Sequence, residues 1–321
     1  MTQPSSLYYL KGHCGWDVLS LLLAEQIPEA EQLAVALKML EFPIGGGIEV
    51  GLLGRTATPN DIRLRITDTS KPEWVSMCGG MTQVIGKALV ETQLRDHFGI
   101  DTTAPVVNVR LITDACVIPL TIEVSAGKAT RVTSHMDSYL ELTYSLGVRA
   151  IEVRGVPALD VGEYFLIRVQ DLEAAHPGID FTRRDPGSHL DIINEWIKLS
   201  CVGRVRPAGP LAILYDDRPE GPGQFRVFPR FLDPTAASIP YEFQCGTGTV
   251  ATAVALAHAG RLPFAGERGE LLLEWGSQRT TPDPYGIRLS RVQIARDGKR
   301  LTSVSYSHSS IEIVMEGHVH V

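Results

Sequence analysis

Two cysteines, Cys78 and Cys245, each stand just before glycine at the start of a strongly apolar run, MCGGMTQVIGKALVET and QCGTGTVATAVALAHA. The first turn of a helix leaves N–H groups without intrahelical partners and carries partial positive charge, so it favours an anion. A thiolate is such an anion, and a cysteine placed there has its pKa drawn from about 8.5 toward neutrality. Glycines just after it let a carboxylate approach the bare N–H groups closely. One helix start can therefore hold a substrate carboxylate and present a proton-transfer group beside it.

Aligned on their cysteines, the two segments match at Cys78/Cys245, Gly79/Gly246, Thr82/Thr249, Ala88/Ala255 and Leu89/Leu256. A single Cys-Gly step is as well explained by packing, but its repetition in both halves favours chemistry. The repeat implies two pseudo-symmetric domains, each a curved sheet around one buried helix. Two such ends facing one bound carbon would let a thiolate remove a proton from one face while a thiol returns a proton to the other. The stereocentre inverts, and the helix ends stabilise the charge that develops on the carboxylate. This scheme calls for no metal or organic cofactor, and it leaves open which cysteine rests as the thiolate.

The whole chain must supply elements to carry those ends. Its 321 residues suit two domains, expected at 1–115 with Cys78 and 116–321 with Cys245, the first rejoined by the last few residues. Hydrophobic content of 44% with 21% charged residues is that of a globular protein, and a net charge of -7 offers no basic stripe for nucleic acid. No apolar run is long enough to cross a bilayer and the opening residues lack an export signal, so the expectation is a cytoplasmic protein that engages neither membrane nor nucleic acid. The pattern leaves a homodimer open. Five cysteines without CxxC spacing read as reduced thiols, with Cys14, Cys116 and Cys201 as small buried residues.

Alternating or β-branched stretches such as GIEVGLL, DIRLRIT, PVVNVRLI and VIPLTIEV, each bounded by turn residues, make both halves strand-rich. A first strand over Leu7–Leu10 leads into a turn from Gly12 to Asp17. PEAEQLAVALKMLE predicts a helix that buries Leu33, Ala36, Leu37 and Leu40, with Pro28 in its first turn. SHLDIINEWIKL, capped by Ser188, predicts another helix with a packing role. YDDRPEGPGQ reads as an exposed connection. GGGIEVG lacks the context of a nucleotide loop, and His318 with His320 lacks a third metal ligand.

The cysteine segments resemble those of the diaminopimelate epimerase and proline racemase superfamily, enzymes that work without pyridoxal phosphate. CGTGTVA is very close to the second motif of that superfamily and MCGG is a weaker version of the first. YLKGHCGWDV, PEAEQLAVALKMLEFPIGGGIEV and IVMEGHVHV resemble its opening strand and turn, its first helix and its closing strand, while residues from about 149 to 223 align poorly. The resemblance implies an α+β, diaminopimelate epimerase-like fold: two pseudo-symmetric domains, each a curved, mostly antiparallel sheet or barrel around a central helix. It implies Cys78 and Cys245 as acid/base pair and Gly79, Gly80, Gly246 and Thr247 as donors to a substrate carboxylate. Trp16 and Asp68 fall where the family carries asparagines, and Glu163 falls in the step that matches Gly-Asn-Pro-His. With Glu242, these carboxylates would suit an amino group or a basic end of a substrate.

RFLDPTAASIPYEFQ replaces the Glu-Arg-Gly run of diaminopimelate epimerases, and Gly80 replaces the histidine of proline racemases, so neither substrate is favoured. The expected activity is an amino-acid racemase or epimerase acting by 1,1-proton transfer on a small-molecule carboxylate. Two alternatives share the fold: an isomerase that shifts a proton across an unsaturated acid, and a binding protein without turnover.

Overall fold

The structure is a computed structural model that describes residues 6–15, 17–41, 48–68, 72–144, 147–153, 155–161, 164–179, 181, 211–216, 218–221, 224–225, 231–232, 245–275 and 288–320. It divides into two compact units, Met1–Leu142 with Ser305–Val321, and Thr143–Val304. The first unit runs to Leu142, and within it β6 (Val117–Ser125) hydrogen-bonds to β5 (Val106–Ile112), across residue 115. Among the described residues no helix is long and apolar enough to cross a membrane.

The first unit carries β1 (Ser6–Cys14), β2 (Asp17–Leu23), α1 (Gln32–Glu41), β3 (Glu49–Arg55), β4 (Asp61–Asp68), α2 (Gly79–Glu91), α3 (Leu94–Phe98), β5 (Val106–Ile112), β6 (Val117–Ser125) and β7 (Lys128–His135), and α4 (Asp137–Tyr144) follows. The second carries β8 (Val148–Val153), β9 (Val156–Val161), β10 (Tyr164–Arg168), α5 (Val169–Ala175), β11 (Leu211–Tyr215), β12 (Pro219–Gly221), β13 (Gln224–Phe225), β14 (Phe231–Leu232), α6 (Gly246–His258), β15 (Phe264–Ala265), β16 (Arg268–Trp275) and β17 (Arg288–Asp297). β18 (Arg300–His308) passes from the second unit into the first, and β19 (Ile311–His320) closes the chain.

In the first unit the strand order is β7-β6-β5-β4-β3-β2-β1-β19, with Ser305 and Tyr306 of β18 pairing beyond β7. β2 pairs with β3 and β4 with β5 in parallel, and the other described pairs of this unit are antiparallel. α2 packs on β7 and β6 near one end of this order and on β2, β1 and β19 at the other, so the sheet curls around it. α2 is mostly apolar and buried at every position but Lys87 and Glu91, and a helix of that kind is stable only when enclosed. β4 and β5 alternate in burial, as strands with one covered face must, whereas β2 is buried nearly throughout. α1 covers part of the outer face through Ala36 and Met39 against Leu7, Tyr9, Leu22, Val50 and Leu52.

α1 departs from the predicted face. Its buried residues are Gln32, Ala36 and Met39, and Leu33 and Leu37 are only partly covered. Gln32 is inside because its amide donates to the carbonyls of Ala24 (3.1 Å) and Ile27 (3.3 Å). Pro28 does not open the helix; it caps a short 3-10 turn over Glu29–Glu31. β1 also runs on to Cys14 and β2 starts at Asp17, so most of the expected turn from Gly12 to Asp17 is strand, and Gly15 takes a φ of 59°.

In the second unit, β14-β11-β10-β9-β8 form one sheet, with β10 and β11 parallel. α6 packs against β8, β9, β10 and β11 on one side of its circumference and against β16 and β17 on another. Like α2, it is buried from its first residue through Leu256. The loop expected to be exposed starts with Tyr215 and Asp216, both buried, and Arg218 grips the Asp216 carboxylate through Nε (2.8 Å) and Nη2 (2.6 Å). β12 and β13 then pair as a short hairpin. The SHLDIINEWIKL segment and Cys201 lie outside the described residues.

Candidate active site

Cys78 is the N-cap of α2. Its backbone is extended (φ -134°, ψ 122°) and its Sγ accepts the Met81 N–H at 3.2 Å, while the Cys78 carbonyl takes the Thr82 N–H. The N–H groups of Gly79 and Gly80, in the first turn, have no acceptor in the helix or its cap. A side chain at Gly80 would be tight, since a Cβ there would lie 3.2 Å from Asp17 Oδ2 and 3.3 Å from Leu19 Cδ1. Behind the sulfur, Thr82 Oγ1 and Gln83 Nε2 both reach Ser134 Oγ on β7, at 2.6 and 2.7 Å. Gln83 Oε1 accepts the His308 N–H at 3.2 Å, so buried polar contacts fix the roll of α2.

Cys245 repeats this geometry at α6. Its backbone is again extended (φ -145°, ψ 121°), its Sγ accepts the Gly248 N–H at 3.4 Å and its carbonyl takes the Thr249 N–H. The N–H groups of Gly246 and Thr247 are the pair left over, and both residues are buried. Two hydroxyls crowd the sulfur: Thr247 Oγ1 at 3.1 Å and Tyr164 Oη at 3.6 Å, themselves 2.6 Å apart. Cys245 is partly exposed.

The sulfurs differ in their electrostatics. Burial pushes the Cys78 thiol well above its ordinary value, the Glu49 carboxyl hydrogen-bonded to it adds to that rise, and Asp17 adds more, with the Met81 N–H opposing. Burial also pushes Glu49 up to about 8, helped by the charge of Asp68 and opposed by the Cys78 hydrogen bond. The expected lowering by the helix end thus fails at Cys78, because burial and carboxylates outweigh it.

Of the residues read from the sequence, Gly79 and Gly80 stand beside Cys78, Gly246 and Thr247 beside Cys245, and Asp68 reaches the Cys78 site through Glu49, its partner across β3 and β4. Trp16 and Glu163 lie outside the described residues, as does Glu242. The sequence reading missed Asp17, Glu49 and Tyr164. Each carried a signal: Asp17 and Glu49 are carboxylates at the heads of apolar strands, DVLSLLL and EVGLL, and Tyr164 opens the apolar YFLI beside Glu163.

No protein-family model matches the chain, and no curated protein was found to match it. Solved structures do match. That of the Bacillus anthracis phenazine biosynthesis protein, of the PhzF family, superposes with a TM-score of 0.64 at 16% identity over 100% of both chains. A hydroxyproline epimerase from Agrobacterium vitis with bound trans-4-hydroxy-L-proline gives 0.64 at 17% identity, over 99% of this chain and 92% of its own. Methylitaconate-delta-isomerase gives 0.63 at 13% identity, over 99% and 96%.

Proposed function

We propose, from the premise that the chain has the α+β fold of the PLP-independent racemases and epimerases, that it is an isomerase moving a proton at the α-carbon of a small carboxylic acid through Cys78 and Cys245. The observation that carries this is the repeated helix start: in each unit a cysteine caps a buried helix, accepts the N–H three residues on, and leaves two first-turn N–H groups over. Such a pair of N–H groups binds a carboxylate, and its charge becomes most favourable when the carbanion delocalises onto that carboxylate.

In the reaction, a thiolate takes the α-proton and the C–H electron pair moves into the carboxylate as an enediolate. The second thiol then gives its proton to the carbon from the opposite face, so thiol and thiolate exchange roles and the centre is inverted. An amino acid is the favoured substrate class, with Asp17, Asp68 and Glu163 suited to its amino group. Diaminopimelate and proline remain disfavoured by the residues at Gly80 and before Cys245. A 1,3-proton shift on an unsaturated acid is the second reading, supported by the likeness to methylitaconate-delta-isomerase.

Cys78→Ala and Cys245→Ala are each expected to lower turnover by about 10²- to 10⁴-fold, the usual worth of one acid/base group. A binding protein would instead keep its ligand affinity in both variants and show no turnover in the parent.

A further inference from the structure

Glu49 is a carboxylate for which the two-thiol reaction has no use. It heads β3, opposite Leu19 of β2 on one side and Asp68 of β4 on the other. Its Oε2 is cut off from solvent without a hydrogen-bond partner, and its carboxyl hydrogen-bonds to the Cys78 sulfur. An orphaned carboxylate oxygen costs the fold stability and calls for an explanation in function. Around the sulfur, β2 supplies Asp17, β3 supplies Glu49, β4 supplies Asp68 through Glu49, and α2 supplies the Met81 N–H. β1 brings Cys14 beside Gly80, with its Sγ 3.7 Å from the Tyr306 hydroxyl of β18. Among the described groups that act on the Cys78 sulfur there is no cation.

Cys245 has a different set of partners: the Gly248 N–H and the hydroxyls of Thr247 and Tyr164, each able to donate to a thiolate. Donors favour the charged sulfur and a hydrogen-bonded carboxylate favours the neutral one.

We propose that Glu49 is a positioning residue that keeps Cys78 protonated, so that the resting enzyme offers Cys78 as the acid and Cys245 as the base. This rests on the two-thiol reading for its catalytic meaning but not for its test. As pH rises, Glu49 loses its proton near pH 8, before Cys78 does, and the thiol S–H then donates to its carboxylate; no group is oxidised, reduced or transferred in the resting state. The resting assignment also fixes which face of the substrate loses its proton first.

The test is the pH profile of iodoacetamide alkylation, read peptide by peptide by mass spectrometry in the intact protein without substrate. The midpoint of each profile reports the thiol's protonation, whereas limited access only scales the whole curve. Glu49→Gln is expected to lower the Cys78 midpoint by about one unit or more, which is about tenfold more thiolate at a pH between the Glu49 pKa and that midpoint, and to leave the Cys245 midpoint in place. Glu49→Asp keeps the charge and is expected to restore a high midpoint. Asp17→Asn, a second route that leaves Glu49 intact, is expected to give a smaller fall in the same direction. An unchanged Cys78 midpoint in both Glu49→Gln and Asp17→Asn, or a Cys245 midpoint below which Cys78 already ionises in the parent, overturns the proposal. Since alkylation needs no turnover, failure of the isomerase reading would leave this result standing, and the reverse holds too.

Discussion

At Cys78 two effects pull the thiol in opposite directions, and their sizes decide the outcome. A helix N-terminus is worth about 0.3–1 kcal/mol to an anion, less than one pKa unit at 1.36 kcal/mol each. Burial and a nearby like charge each shift a pKa by about 1–3 units or more. The carboxylates and the enclosure therefore win, and a rule that reads a cysteine at a helix start as acidic fails here. The same cluster makes the protein's stability depend on pH. The folded-state pKa of Glu49 is raised from 4.5 to about 8, so its contribution is fully present below 4.5 and is lost as pH rises through about 8. Thermal unfolding across that window is expected to show Tm falling with pH less steeply in Glu49→Gln than in the parent. Parallel curves would count against the raised pKa. The places of Cys78 and Cys245 at two helix starts were legible in the sequence because Cys-Gly before an apolar run occurs twice. The position of Glu49 was not, since it depends on a strand pairing that places it beside a residue 29 positions away, Cys78.

The helices that carry the cysteines are held by close approach as much as by apolar composition. A Cβ at Gly86 of α2 would overlap Val132 Cγ1 on β7, so that strand sits against bare helix backbone. Alanine in place of helical glycine ordinarily gains about 0.5–1 kcal/mol, but overpacking a filled core costs about 1–3. Gly86→Ala is therefore expected to lower Tm, and Gly86→Ala with Val132→Ala to recover part of the loss; a Tm raised by Gly86→Ala alone would refute the close packing. α2 and α6 could be foreseen because long, mostly apolar runs follow each Cys-Gly step. The buried face of α1 could not, because Gln32 goes inside only where the carbonyls of Ala24 and Ile27 wait for its amide. The buried Asp216 escaped notice for the same reason: Arg218 and the Gln170 amide, 2.8 Å away, neutralise and satisfy a residue that in isolation reads as loop surface.

At the scale of the molecule, the repeat of two helix starts gave the two-unit plan, but not where the units divide. That boundary is set by hydrogen bonding between β5 and β6, with register from Val106↔Glu123 to Ile112↔Val117, and by the return of Ser305–Val321 to the first unit. Neither leaves a local mark in composition. The architecture was legible because closing strand, opening strand and both cysteine helices each resemble one pattern, and solved structures of the same fold match over nearly all of this chain. Substrate identity was not legible, because the residues read as flanking these helix starts depart from the familiar patterns. The most direct test of the whole account is proton NMR of the reduced protein in D2O with pooled L-amino acids and, separately, pooled unsaturated di- and tricarboxylic acids. The account predicts that one α-proton signal of the first pool disappears while the D-form of that amino acid accumulates, and that both effects vanish in Cys78→Ala and in Cys245→Ala. Exchange that continues unchanged in either cysteine variant would contradict it.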